Sequence, residues 1–134
     1  MPIIEICEKA ENLIRKKGGK PAFPCNVSIN EVAAHYTSPP GDTKRIPEKS
    51  VVKVDIGAHV DGYVTDTAVT ICFNPDYENL VDTAERALEA AIRKVKPGMA
   101  TGRLGAIIEN TIKNRGFKPI SNLCGHQIGR YIIH

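Results

Sequence analysis

"VVKVDIGAHVDGYVTDTAVTI", residues 51–71, places two aspartates, Asp55 and Asp66, on either side of an Asp61-Gly62 pair. Asp-Gly between two β-rich runs predicts a hairpin with those two residues as its turn. Opposite partners then sum to 123, so Asp66 faces Gly57 and Asp55 faces Ala68. Asp55 and Gly57 share strand parity. The two carboxylates therefore project from one face as diagonal neighbours, with Cα atoms about 7–8 Å apart. Val52, Val54, Ile56, Ala58 and Val60 occupy the opposite face, which is expected to be packed.

Two carboxylates so placed need water, a cationic partner or a metal; otherwise one of them stays protonated. From the hairpin alone three readings stand. A solvated sheet face is the plainest, although Asp is depleted inside strands. An acid/base pair, as in glycoside hydrolysis, sits poorly with the absence of Trp and an aromatic content of 5%. A divalent metal site suits carboxylate oxygens but needs further ligands, and histidine is the first type to inspect.

His126 lies in SNLCGHQIG, where Gly125 and Gly129 leave an imidazole accessible, although a histidine near glycine is commonly a loop residue. His35, in AAHYTSPPGD, opens a loop after an apolar stretch. His134 ends the apolar run Tyr131-Ile132-Ile133 and reads equally as a core residue. His59 sits beside the turn and reads as structural. None of the four decides the matter by itself.

The bulk properties restrict the classes. A chain of 134 residues is one domain's worth, 42% hydrophobic and 25% charged, enough for a modest core. A net charge of +3 without a Lys/Arg block gives nucleic-acid binding weak support. Cys7, Cys25, Cys72 and Cys124 form no CxxC pair, as expected of reduced thiols in the cytoplasm. No apolar run has membrane-spanning length, so no membrane partner is expected.

The chain also echoes itself. Residues 11–21 read ENLIRKKGGKP and residues 109–119 read ENTIKNRGFKP, identical at six of eleven positions with an offset of 98. Each copy reads as a helix with a glycine stop. Ile3, Cys7, Ala10 and Ile14 form the first stripe, ended by Gly18-Gly19. Leu104, Ile107, Ile108 and Ile112 form the second, with Thr101 as N-cap and Gly116 as stop. A further helix over about 77–96 shows Leu80, Ala84, Leu88, Ala91 and Val95 on one face, with Asn74 or Asp76 as cap. The first copy is followed by about fifty residues of strand, loop and hairpin, the second by fifteen. The expectation is a partial chain of a pseudo-symmetric domain.

Three blocks, "KPAFPCNVSINEVAAHYTSPPGD", "VVKVDIGAHVDGYVTDTAVT" and "GFKPISNLCGHQIGRYIIH", closely resemble the type II methionine aminopeptidases in their archaeal form. The resemblance implies an α+β pita-bread (creatinase/aminopeptidase) fold, here incomplete, with an antiparallel curved sheet and helices on its outer face. Residues 1–134 would be one partial catalytic domain. Residues 1–72 would form the first half with the Asp-bearing hairpin, and 73–134 the connecting helices and the start of the second half. The resemblance further implies two divalent metal ions (Co, Mn, Fe or Zn), with Asp55, Asp66 and His126 as ligands. His35 would contact the scissile amide and His134 the substrate carbonyl.

The implied activity is removal of the initiator methionine from a nascent peptide by metal-activated water. The implied partner is a peptide with N-terminal Met, while ribosome contact is an expectation from the mildly basic charge alone. Two glutamate ligands called for by the family have no match here, since residues 120–134 contain no Glu. The isolated chain is therefore expected to be inactive and to self-associate through uncovered helix faces. The alternative is a non-catalytic pita-bread module that binds ribosomes or nucleic acid. Such relatives usually replace the metal ligands, which this chain retains.

Overall fold

The computed structural model describes residues 1–134. The elements run α1 (Ile3–Lys16), β1 (Lys20–Ile29), β2 (Val51–Val60), β3 (Tyr63–Cys72), a 3-10 turn (Pro75–Tyr77), α2 (Glu78–Lys94) and α3 (Thr101–Asn114). The chain divides into two compact units. Residues 1–75 with 126–134 form one, and residues 76–125 form the other.

In the first unit the strands make one antiparallel sheet in the order β1-β2-β3. One face of the sheet carries the core. Ile3 and Cys7 from α1 pack with Cys25, Val27 and Val52, while Ile29, Val54 and Ile56 adjoin them only partly buried. The packed side expected for β2 fades towards the turn, where Val60 is 58% exposed. Asp55 and Gly57 belong to the other face by strand alternation.

β1 does not keep a simple alternation. Its partners shift between Pro21 and Phe23 and again between Phe23 and Asn26. Each shift inserts one extra residue in β1, and each interval begins at or contains a proline, Pro21 or Pro24. A proline cannot donate to the ladder and is tolerated at bulges of an edge strand, which β1 is. The consequence is that Phe23 faces Gly57 while Asn26 faces Asp55. Two residues three apart thus reach the same face.

The internal echo is structural. α1 and α3 are both fourteen residues long at an offset of 98, and Gly18 (φ 88°) and Gly116 (φ 84°) follow their caps. Gly19 N–H donates to Ile14 O and Gly18 N–H to Arg15 O; Phe117 and Gly116 repeat both bonds on Ile112 and Lys113. This is the Schellman stop in both copies, and it needs a residue that tolerates positive φ.

The second unit pairs α2 with α3. Its buried face on α2 is Thr83, Ala87 and Ala91, whereas Leu80, Leu88 and Val95 of the expected stripe are 41%, 59% and 57% exposed. Ala91 belongs to both the expected stripe and the buried face; elsewhere burial follows packing against α3 rather than side-chain hydrophobicity. Thr83 adds a polar reason: its hydroxyl donates to Asn79 O and accepts from Arg115 Nε, both at 2.8 Å or less. Thr101 is the first helical residue of α3 rather than its cap, which is Ala100. Tyr77 precedes α2 and makes no side-chain cap bond. No helix is long and apolar enough to cross a membrane.

The four thiols are free and unequally covered. Burial, reinforced by the neighbouring Cys7, pushes the Cys25 thiol up to about 12. Burial also raises Cys7. Because the thiolate is the nucleophile, both should be inert in the folded chain. Titration with Ellman's reagent is expected to label exposed Cys124 first and half-buried Cys72 more slowly. Cys7 and Cys25 should respond only in denaturant, and four reactive thiols without it would contradict the packing of α1 on β1.

Candidate metal centre

The turn residues Asp61 and Gly62 have φ of 50° and 85°, as a type I′ hairpin turn requires. The register is the one expected from the sequence: Asp55 pairs with Ala68, and Gly57 with Asp66. The two carboxylates therefore share the face of the sheet away from the core. Gly57 is the gap between them. A Cβ there would lie 2.2 Å from the Phe23 ring, so that ring covers the same face.

Asp55 is half-buried, and its Oδ1 is buried without a hydrogen-bond partner. Burial raises its carboxyl above the ordinary aspartate range, and the Asp66 carboxylate pushes the same way; Asn26 and His35 oppose the rise. A raised folded pKa means that the folded state holds the proton more tightly than the unfolded state. The stabilising contribution is then present below the unfolded pKa and is lost as pH rises through the folded value. At neutral pH, metal-free, Asp55 is a net cost. Asp55→Asn is expected to raise the melting temperature of the metal-free chain at pH 7, with the gain shrinking as pH falls through the raised pKa. A loss of stability at pH 7 would contradict the burial argument.

His126 reaches the hairpin because its segment docks on the turn. Tyr131 N–H donates to Gly62 O at 2.9 Å, Arg130 Nε donates to Asp61 O at 3.0 Å, and the Tyr131 ring lies against Gly62. That ring also meets His59 edge-on at 5.8 Å, and His59 Nδ1 accepts from Gly62 N–H. His59 thus supports the turn, in keeping with its structural reading. His134 stands edge-on to His126 with ring centroids 5.6 Å apart. His35 lies in the loop after β1 with φ 67°, a left-handed backbone, and is near enough to Asp55 to oppose the rise of its carboxyl.

His126 Nε2 is 3.4 Å from Asp66 Oδ2, and its Nδ1 is 3.1 Å from Gln127 O. A carbonyl only accepts, so Nδ1 carries the proton in that contact. In the neutral ring Nε2 is then a lone pair facing a carboxylate oxygen. Two acceptors in opposition need a proton or a cation between them. Two ligands about 2.1 Å from one tetrahedral ion are about 3.4 Å apart, so the spacing suits either. As the side chains stand, no three of the His, Cys, Asp and Glu residues form a metal-holding group. The Asp66–His126 pair closes directly instead. With 27% and 39% of the two side chains exposed, the pair is open to an ion from solvent. The unpartnered Asp55 oxygen and the opposed acceptors together fit a divalent cation.

Sequence alternation does not reveal Phe23, Asn26 or Thr37 at this face. Phe23 lies over Gly57, Asn26 pairs with Asp55, and Thr37 donates its hydroxyl to Asn26 Oδ1 at 2.6 Å. For Phe23 and Asn26 the one signal is the pair of prolines inside β1, which marks its bulges; Thr37, outside β1, has none.

Known proteins bear on this arrangement. The profile of metallopeptidase family M24 matches residues 1–134. Methionine aminopeptidase of Saccharolobus solfataricus is 49% identical over 132 residues, spanning 98% of this chain and 44% of that protein. Methionine aminopeptidase of Methanothermus fervidus is 46% identical over 148 aligned positions, spanning 100% of this chain and 78% of that protein. Among solved structures, methionine aminopeptidase of Thermotoga maritima superposes with a TM-score of 0.87 at 30% identity, over 96% of this chain and 55% of that one. Prolidase of Pyrococcus furiosus gives 0.73 at 27% identity, over 87% and 35%. The chain thus spans less than half the length of the Saccharolobus relative.

Proposed function

Because this chain belongs to metallopeptidase family M24, we propose that it supplies three ligands, Asp55, Asp66 and His126, of a dinuclear centre in an aminopeptidase that removes N-terminal methionine. The observation that carries the proposal is the opposition of His126 Nε2 and Asp66 Oδ2 at 3.4 Å, beside the unpartnered Oδ1 of Asp55. A bound divalent ion (Co, Mn, Fe or Zn) would supply Lewis-acid polarisation of a peptide carbonyl and a more acidic water.

The chain's own residues bind and orient. A proton on His126 Nδ1, donated to Gln127 O, would leave Nε2 as the ligand nitrogen. Asp66, diagonal to Asp55 on the hairpin, would be a ligand beside it. His35 would hydrogen-bond the scissile amide nitrogen, and His134, beside His126, would hold the carbonyl side. Phe23 over Gly57 gives the carboxylate face an apolar border. A methionine side chain is apolar, and discrimination in such a site is modest per methylene.

The two glutamates that the resemblance calls for are not supplied by residues 120–134. For the chain in isolation the proposal is therefore metal binding without turnover. The test is isothermal titration of Mn(II) into the chain, with Met-Ala-Ser hydrolysis followed in the same buffer. Saturable binding with no hydrolysis is expected. Absence of Mn(II) binding would overturn the assignment of the ligands.

A further inference from the structure

The bulged β1 strand creates a row of side chains beside the proposed ligands. Asn26 pairs with Asp55 on one side and, through an isolated antiparallel bridge, with Thr37 on the other. Direct antiparallel partners project from the same face, so Thr37, Asn26 and Asp55 stand side by side. Asn26 is only 8% exposed. A buried amide must place both its acceptor and its donor end. Thr37 Oγ1 donates to Asn26 Oδ1 at 2.6 Å, which commits the carbonyl end. The NH2 end is left for the other side of the row, where the Asp55 carboxylate stands.

Backbone bonds hold the row in register. Val27 N–H donates to Tyr36 O at 2.8 Å, and Tyr36 N–H donates to Ser28 Oγ at 3.3 Å. The segment around Thr37 therefore runs beside β1, and His35 lies two residues upstream of Thr37 in it.

We propose that Asn26 is a positioning residue for Asp55, oriented by Thr37, and that this row couples the loop carrying His35 to the metal centre. The inference rests on the proposed metal-ligand role of Asp55. A carboxylate restrained by an amide N–H through one oxygen presents the other in a defined direction, and Oδ1 is the buried oxygen without a partner. Hydrogen bonds of this outer kind fix ligand direction, and their loss typically costs 10–100-fold in metal affinity. Loss of a merely structural Asn26 would leave metal affinity unmoved.

The test is titration of MnCl2 into the full chain and its variants by calorimetry. Asn26→Ala is expected to weaken binding by about 10–100-fold. Thr37→Val should weaken it in the same direction, and Thr37→Ser, which keeps the hydroxyl, should restore binding to near the wild-type value. The double variant Asn26→Ala/Thr37→Val should bind no worse than Asn26→Ala alone, because the two residues act in series. A metal-free readout accompanies these: the Asn26 side-chain amide signals in a 1H–15N spectrum should shift in Thr37→Val and in Asp55→Ala. Should Asn26→Ala fail to fold, the two Thr37 variants carry the test. Wild-type binding of Mn(II) with unchanged affinity in Thr37→Val overturns the positioning role and leaves the ligand assignment standing. No binding by the wild type overturns the ligand assignment, and the inference with it.

Discussion

Asp66→Ala is expected to weaken Mn(II) binding by more than about 100-fold, since loss of an outer hydrogen bond alone typically costs 10–100-fold. The variant removes the carboxylate that faces His126 Nε2 and leaves Asp55 as the hairpin's only acid on that face. Stability should move the other way. In the metal-free chain Asp66 adds to the forces that raise the Asp55 carboxyl, so its removal relieves a like-charge contact. The expected result is a calorimetric trace without saturable binding and a metal-free melting temperature equal to or above that of the wild type. A melting temperature that collapses together with affinity would make Asp66 a residue of the fold rather than of the site.

Gly62→Val should have an effect of similar size by a different route. Gly62 has φ 85°, where a β-branched residue is strained by about 1–3 kcal/mol. Its added Cβ would also lie 2.4 Å from the Tyr131 ring. The ring cannot stay, and with it goes the docking of residues 126–134 on the turn, which depends on the Tyr131–Gly62 and Arg130–Asp61 contacts. His126 is then released from Asp66. Mn(II) affinity should fall to the level of His126→Ala, and trypsin should cut after Arg130 sooner than in the wild type. Gly41→Ala is the control for backbone strain alone. Its φ is 79°, and nothing lies within 4 Å of the added Cβ. If both variants lose affinity equally, strain rather than undocking is the cause.

The hairpin and its carboxylate face were legible because they depend on neighbours in sequence. An Asp-Gly turn sets the pairing sum, and the two-residue period of a strand then assigns each side chain to a face, so Asp55 and Asp66 followed from the primary structure. The helix stops at Gly18 and Gly116 were legible for the same reason, since the Schellman bonds span five residues. The blocks around His35, His126 and His134 announced the family, which the match over residues 1–134 bears out.

What residues far apart decide was not legible. The buried face of α2 is set by where α3 lies against it, so Thr83, Ala87 and Ala91 are covered while Leu80 and Leu88 are not. His126 meets Asp66 only because Tyr131 docks against Gly62, a contact spanning sixty-nine positions of the chain. Phe23 and Asn26 differ in parity and would fall on opposite faces of a regular strand. Two bulges bring both to the carboxylate face. Periodicity and turn chemistry reflect local backbone dihedrals, and the sequence determined those by itself. Bulge placement, helix rotation and the docking of a distant segment minimise a packing energy shared with remote residues, and only the tertiary structure decided them.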